Sequence, residues 1–448
     1  MSGSTGSSTE SPTTTTDPTG GSTDTEPTGA DSSSTGNGSV CGDGEVDGDE
    51  VCDDGLNDGS YGGCAEDCSA LGPHCGDGEE NGSEECDDGD EVQGNGCNVD
   101  CVPSGLQLWT YEEHVSPEDE CTEIIAAEEG HLYVAARVNN QDPTDEAYAF
   151  YVQRLSETGS DEWTAEYAPF ATPTTHDYRP FAAADAGDGV VVVGGHRTQI
   201  ATIVDQYTDA RVVKFSGADG AVEWARSESG PHFAVDVTSD GSGGVAVSAF
   251  TVNDFDSHLF RVSPDGDLIG APVVELQADV WLIERDPAGG YVTAALPDDS
   301  FLQSRNNGFG ILWSQVQAEL GEPTALAVGD SSRIFSVGGS SSQNWIAEFD
   351  PDDGSDVWSV RTGDVAALGR AMDVTVAPNG DIIVSGTRGG APWLARLAAS
   401  GDTLWAREAS EAGEFSSVAV RPDGVVVGCG TVDGGGQGDN VFVAAYTP

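Results

Sequence analysis

MDVTVAPNGDIIVSGTRGGAPWLARLAASGDTLWARE, from Met372 to Glu408, is the clearest copy of a unit that returns about every 45 residues. Its short runs of alternating apolar and polar residues (DVTVAP, DIIVSGT, WLARLA, TLWARE) read as strands, and the NG, DG, GG and PDG steps of this and sister copies read as tight turns. Each copy therefore holds four strands, A to D from the inside outward, and Trp163, Trp224, Trp313, Trp358 and Trp405 mark strand D of successive copies. Helical periodicity is absent from the repeat region. Inner hairpins start near Thr122, Tyr178, Phe233, Val280, Thr324, Ala371 and Phe415. The last copy ends in VFVAAYTP without a strand D, while GLQLWTYE at Gly105–Glu112 carries the strand D signature with Trp109 in the tryptophan position. The expected architecture is all-β: a seven-bladed β-propeller over 104–448, closed by an N-terminal strand that removes the exposed sheet edge.

Three details refine this expectation. Gly270 stands where the third copy should have tryptophan, so that blade is expected to have a weaker outer strand. Arg154, Lys214, Arg261 and Arg396 recur near the end of strand C and are expected to form ion pairs between blades. Cys121 and Cys429 fall at similar heights on adjoining blades, so they are either a disulfide locking the ring or two buried thiols, the disulfide being favoured.

The chain carries 78 Asp and Glu against 17 Lys and Arg, a formal charge of −61, with Lys214 its single lysine and Arg137 its first basic residue. Such a surface repels phosphates and anionic lipid head groups, which sets aside nucleic acid and membrane-surface partners. No run is long and apolar enough to span a bilayer. Residues 1–40 are mostly Ser, Thr, Gly, Pro, Asp and Glu with almost nothing to bury, and are expected to form a disordered spacer.

Residues 41–103 hold two tandem four-cysteine repeats: Cys41, Cys52, Cys64 and Cys68, then Cys75, Cys86, Cys97 and Cys101. Both open CGDGE and carry CDDG at the second cysteine. With so few large apolar side chains the module needs staples, and two disulfides per copy fit better than zinc, because each copy has only one close cysteine pair. Three connectivities per copy remain open. Disulfides imply an oxidising compartment, hence an exported chain whose signal is expected to have been removed ahead of MSGSTGSSTE.

The second copy, CGDGEENGSEECDDGDEVQGNGCNVDC, resembles the Myxococcus cysteine-rich repeat, built on C-G-[DN]-G, E-x-C-D-D-G and G-x-G-C-x-x-x-C; the first departs in NDGSYGGCAEDC but keeps its cysteines. The resemblance implies an exported bacterial surface protein, secreted or lipid-anchored. The later repeats are similar to bacterial propeller repeats allied to the quinoprotein and WD40 types, a superfamily of both enzymes and binders. No adjacent-cysteine pair or matching Asp constellation is present, and no quinone, nucleotide or haem is expected.

Two sets of candidate site residues follow. In the repeats, Asp43, Glu45, Asp47 and Asp54, then Asp77, Glu79, Asn81 and Asp88, place alternate oxygen ligands around a glycine turn, as calcium requires; the alternative is that they merely solvate the knot. In the propeller, the longer B–C and D–A connections share one face, among them 139–147, 196–209 and 433–440. That face should receive His114, His176, Asp177, Arg179, His196, His232 and Arg370 as a ligand-binding group. No nucleophile elbow, Walker loop or HExxH occurs. The expected function is a monomeric, non-enzymatic binder of an extracellular protein or glycan, with a propeller hydrolase or lyase working in the central channel, or a calcium-stabilised structural surface protein, as alternatives.

Overall fold

The computed structural model describes residues 40–116, 118–139, 148–168, 176–200, 203–229, 232–251, 256–275, 279–296, 301–317, 320–340, 343–361 and 369–448. The chain divides into two compact units, one ending at Gly72 and the other beginning at Pro73. The second holds seven four-stranded antiparallel sheets. Their innermost strands, A, are Glu120–Ala126, His176–Asp185, His232–Ser239, Asp279–Arg285, Pro323–Val328, Arg370–Val376 and Gly413–Val420. Blade 7 is built from both ends of the propeller. Gln107–Glu113 lies antiparallel to Asp439–Tyr446, with Trp109 opposite Ala445 and Glu112 opposite Phe442. No helix among the described residues is long and apolar enough to cross a membrane.

Blades pack face to face through apolar side chains. At the seam between blades 7 and 1, Ile124, Leu132 and Val134 meet Val427, Val443 and Ala445, all but fully buried. Each of the Val, Leu and Ile side chains contributes roughly 1.5–3 kcal/mol relative to exposure. The seam also carries a disulfide between Cys121 of strand A and Cys429, which closes a loop with a sequence separation of 308.

The recurring tryptophans have a specific task. Four of them bond from strand D to the C–D turn of the next blade: the Trp163 indole N–H donates to the Gly217 carbonyl at 3.0 Å, Trp224 to Pro264 at 2.7 Å, Trp313 to Pro351 at 2.8 Å and Trp109 to Glu157 at 3.1 Å, whereas Trp358 donates to Glu348 of its own blade at 2.6 Å. The turn beneath holds a glycine with positive φ. A Cβ on Gly159 would come within 2.5 Å of Trp109, and one on Gly354 within 2.4 Å of Trp313. Glycine is required there both for its left-handed backbone and for clearance.

Blade 3 breaks this rule, and the structure shows the replacement. Its outer strand is only Val273–Glu275, the weakened strand expected from Gly270. In the facing turn of blade 4, the glycine position is taken by Phe309, at φ 63° and 5% exposed, packed against Tyr291 at 5.1 Å. Phe309 fills from one side the space that tryptophan fills elsewhere from the other. Next to it Arg305, fully buried, grips Glu275 through two bonds of 2.6 and 2.7 Å and donates to the Thr293 hydroxyl and the Phe309 carbonyl.

The basic residues of strand C correct the expectation of inter-blade ion pairs. Lys214 pairs with Asp188 and Glu223, Arg154 with Glu162, Arg261 with Asp240 and Arg396 with Asp381, all within the same blade. The end of strand C lies beside its own A–B turn and its own strand D, so the nearest carboxylates are local. The pairs that do cross between blades, Arg305 with Glu275 and Arg421 with Glu157, involve arginines outside that set.

Each cysteine repeat joins first to fourth and second to third cysteine: Cys41–Cys68 and Cys52–Cys64, then Cys75–Cys101 and Cys86–Cys97. Within the second unit the later repeat lies on blade 6. Gly94 sits directly over the Arg396 guanidinium, and Arg407 donates to the Ser104 and Gly105 carbonyls at 2.7 and 2.9 Å.

Glu275→Gln leaves Arg305 buried without its counter-charge. The substitution is expected to cost about 3–5 kcal/mol, read as a lower denaturation midpoint, whereas an unchanged midpoint would show the pair to be dispensable.

Candidate functional site

Strand A has no sheet neighbour on its inner side, so its inward N–H and C=O groups need other partners. All seven strands respond in the same way. Each has a register shift near its start, which bulges out Thr122, Phe181, Val235, Trp281, Thr324, Met372 and Ser416. Bulges re-aim side chains. Here the bulged residues line a recess of about 610 Å³ on the channel axis. A second cavity of about 540 Å³ lies toward the opposite face, against the A–B turns at 329–331 and 378–380.

The recess has two unlike halves. On blades 2 to 4, Phe181, Val235 and Trp281 form an apolar wall, backed by Phe233, which lies 5.2 Å from Phe181, and by Phe250, 5.6 Å from Trp281. On blades 5, 7 and 1 the same ring position is Thr324, Ser416 and Thr122, with Met372 between them on blade 6; the Thr122 hydroxyl oxygen is buried without a partner.

Five carboxyl groups line the channel: Glu123, Asp236 and Asp373 immediately after the bulges of blades 1, 3 and 6, Glu284 on blade 4, and Asp185 at the end of strand A of blade 2. Two of them tie strand A of one blade to the next. Asp236 accepts the Val237 N–H at 2.8 Å and the Ile283 N–H of blade 4 at 2.7 Å; Asp373 accepts Val374 at 2.7 Å and Val418 of blade 7 at 2.8 Å. Ser417 is the uncharged counterpart on blade 7, accepting the Ile124 N–H at 3.2 Å. Its hydroxyl lies 2.5 Å from Glu123 Oε1 and 3.1 Å from Asp373 Oδ2. One hydroxyl hydrogen cannot serve both, so a proton held by one carboxyl completes the set.

These groups resist ionisation. Burial pushes Asp236 up to about 7 despite its backbone bonds, and burial together with the Asp236 charge pushes Glu284 up to about 8. Burial likewise lifts Asp373 to about 6, and burial followed by the Asp373 charge raises Glu123 well above the usual carboxylate range.

Three of the residues assigned to a ligand face from sequence have partners of their own. His114 Nδ1 is 2.8 Å from Asn440 Oδ1, and buried His196 is 3.5 Å from Asp209. His232, 8% exposed, stacks on His258 at 4.9 Å, and burial followed by the neighbouring imidazole holds its pKa down. Arg179 is half-buried on strand A of blade 2, and Arg370 is exposed at the start of strand A of blade 6. The side chains of His176 and Asp177 lie outside the described residues, as do residues 140–147. The stretch 196–209, expected to be a loop, instead prolongs Gly189–Ile200 and Ile203–Ser216 as a paired hairpin, with His196 opposite Asp209.

In the cysteine repeats the CDDG motif acquires a physical meaning. Its first aspartate gathers the CGDG loop: Asp53 accepts N–H bonds from Gly42, Asp43, Gly44 and Gly55, and Asp87 from Gly76, Asp77, Gly78 and Gly89. Partial desolvation opposes ionisation, but these bonds outweigh it and hold both carboxyls below their usual range. Its second aspartate holds the third cysteine, Asp54 accepting the Cys64 N–H and Asp88 the Cys97 N–H. Asp43 and Asp77 cap the N–H groups of Glu45 and Glu79, both of which are exposed. Asp47 and Asn81 donate their N–H to Glu50 and Glu84. Asp47 Oδ1 with Glu50 Oε1, and Asn81 Oδ1 with Glu84 Oε1, are buried without partners. Glu50 with Asp53, and Glu84 with Asp87, bring carboxylate oxygens within 4.8 Å of one another, and neither pair was singled out from sequence.

Comparison with known proteins adds the fold. No family model matches the chain, the cysteine repeats included, and no curated protein matches either. Among solved structures, the RRP9 WD40 repeats are 9% identical, with TM-score 0.53 over 77% of this chain and 99% of that one. The Neurospora crassa Pan2 WD40 domain is 12% identical, with TM-score 0.52 over 77% and 96%. These likenesses establish the β-propeller fold and nothing about its ligand.

Because the channel carboxyls are held above their unfolded values, the native state binds more protons than the unfolded chain between about pH 4 and 8, and stability falls as pH rises through that window. The expected outcome is a Tm at about pH 5 at least about 3 °C above that at pH 8, with the difference reduced in Asp236→Asn/Glu284→Gln. An unchanged slope in the double variant would assign the effect to general surface repulsion.

Proposed function

We propose that the chain is an exported, monomeric binding protein that offers the channel-mouth face of its propeller to a partner protein of basic surface. The observation that carries this reading is the recess on the channel axis, with Phe181, Val235 and Trp281 on one side and Glu123, Asp236, Glu284 and Asp373 within it, in a chain of charge −61. An acidic field of this size steers cationic partners toward such a cleft and repels polyanions. Five disulfides support an oxidising, extracytoplasmic setting, and the cysteine-repeat resemblance adds a surface location, secreted or lipid-anchored. Immobilised full-length chain, offered basic proteins, acidic proteins and glycans, is expected to retain the basic proteins, with association at least about 10-fold slower at high than at low salt. Retention of glycans instead, or salt-independent association, would contradict the reading.

Calcium is the cation proposed for the cysteine repeats, in a structural role. Paired buried oxygens without partners, at matching positions of both copies, support it: Asp47 with Glu50, and Asn81 with Glu84. Hard oxygen donors of this type suit calcium, which neutralises carboxylates that otherwise repel. Millimolar calcium is expected to raise the Tm of the repeat transition, and Glu50→Gln/Glu84→Gln to abolish that rise. No shift in the parent protein would remove calcium from the account.

A second reading, a hydrolase or lyase working in the channel, is favoured by Glu123 and Asp373 meeting at the Ser417 hydroxyl. The backbone bonds of Asp373 give that residue a structural reason to be there, so binding is preferred.

A further inference from the structure

The proposed binding function leaves open what the recess itself recognises, and its two walls differ enough to specify a ligand. The apolar side is continuous with a buried aromatic cluster, in which Phe233 meets Phe250 edge-on at 6.0 Å and Trp281 at 6.3 Å, so Phe181 and Trp281 are held in place rather than free to collapse inward. Deeper along strand A come the carboxyl groups. Trp281 and Glu284 are three residues apart on one strand, roughly 10 Å along it, and Asp236 belongs to the neighbouring strand and bonds to Ile283, the residue before Glu284. A ligand entering from the channel mouth therefore meets aromatic surface first and negative charge second.

We propose that this recess takes the side chain of a lysine presented by a partner protein, its aliphatic stem lying against Phe181, Val235 and Trp281 and its ammonium group reaching Asp236 and Glu284.

Lysine fits better than arginine for a geometric reason. Both oxygens of Asp236 already accept backbone N–H groups, and Glu284 Oε2 accepts the Thr238 hydroxyl at 3.0 Å and its neighbour's N–H at 3.3 Å. A planar guanidinium pairs best with two oxygens of one carboxylate side by side, whereas a compact ammonium distributes its three donors over separate acceptors. The buried Thr122 hydroxyl oxygen, which has no partner, lies on the same recess as a further acceptor. An aromatic face beside the stem adds attraction to the cationic end. Glu123, Asp373 and Asp185 also line the recess, so the charge that an ammonium meets is negative from blades 1, 2, 3, 4 and 6.

An arriving cation favours the ionised carboxyls, so binding must release protons and strengthen as pH rises from about 5 to 8. The test uses the full chain and two peptides, acetyl-Gly-Gly-Lys-Gly-Gly-amide and its norleucine counterpart, which keeps the stem and lacks the ammonium. Calorimetry in two buffers of different ionisation enthalpy reads affinity and proton release together. The expected result is binding of the lysine peptide at least about 10-fold tighter than the norleucine peptide, with protons released, and a similar loss in Glu284→Gln and Trp281→Leu variants that remain folded. Equal affinity for the two peptides, no detectable binding of either, or full binding by folded variants would overturn the proposal. If a variant fails to fold, the comparison of the two peptides on the parent protein decides alone. Capture of a basic partner that survives Trp281→Leu and Glu284→Gln would overturn this assignment and leave the broader binding reading standing.

Discussion

The structure depends on one pairing between distant parts of the chain: Gln107–Glu113 hydrogen-bonds beside Asp439–Tyr446 and supplies the outer strand that blade 7 lacks. Without it the last sheet would expose an unpaired edge. The same seam concentrates the other long-range restraints, the Cys121–Cys429 disulfide and the apolar contact of blades 7 and 1. Closure is what lets seven inner strands face a common axis, and the recess exists only because they do.

Between the other blades the recurring device is an indole laid over the next turn. The single blade without it shows what the device must achieve. Phe309 supplies the lost apolar volume from the opposite side, and the Arg305–Glu275 pair supplies the lost cross-blade bond. A buried ion pair is a costly substitute for an indole because both charges must be desolvated, but here the five donors of one guanidinium meet Glu275 twice, Thr293, Gln303 and the Phe309 carbonyl.

What sequence revealed follows from periodicity. Alternating strands, turn glycines and the strand D tryptophan repeat often enough to be counted, and they assign Trp109 to the last blade. The third copy's Gly270 announced a weak outer strand, but its compensation was hidden, because Phe309 and Arg305 read as ordinary turn and strand residues until a neighbouring blade is placed beside them. Strand C basic residues misled for the same reason: recurrence suggested a role between blades, whereas the nearest carboxylates lie within each blade. The channel carboxyls did leave a trace. Asp236-Val237-Thr238 and Asp373-Val374-Thr375 repeat the same tripeptide in otherwise apolar inner strands, a place where an acidic residue needs a reason. Histidines in connections drew attention instead, and the long hairpin of blade 2 shows how polar strand extensions pass for loops.

The ring also organises the electrostatics. Most of the charge lies on surfaces where solvent screens it, but the inner strands carry carboxyls into a confined space, where they bind backbone N–H groups and hold protons to unusually high pH. Hydrogen exchange on the amides of Gln107–Glu113 tests the underlying geometry most directly. Closure predicts that they are protected to the same degree as those of Asp439–Tyr446 and lose protection together with them. Rapid exchange of Gln107–Glu113 while Asp439–Tyr446 stays protected would contradict a closed ring, and with it the recess built on that ring.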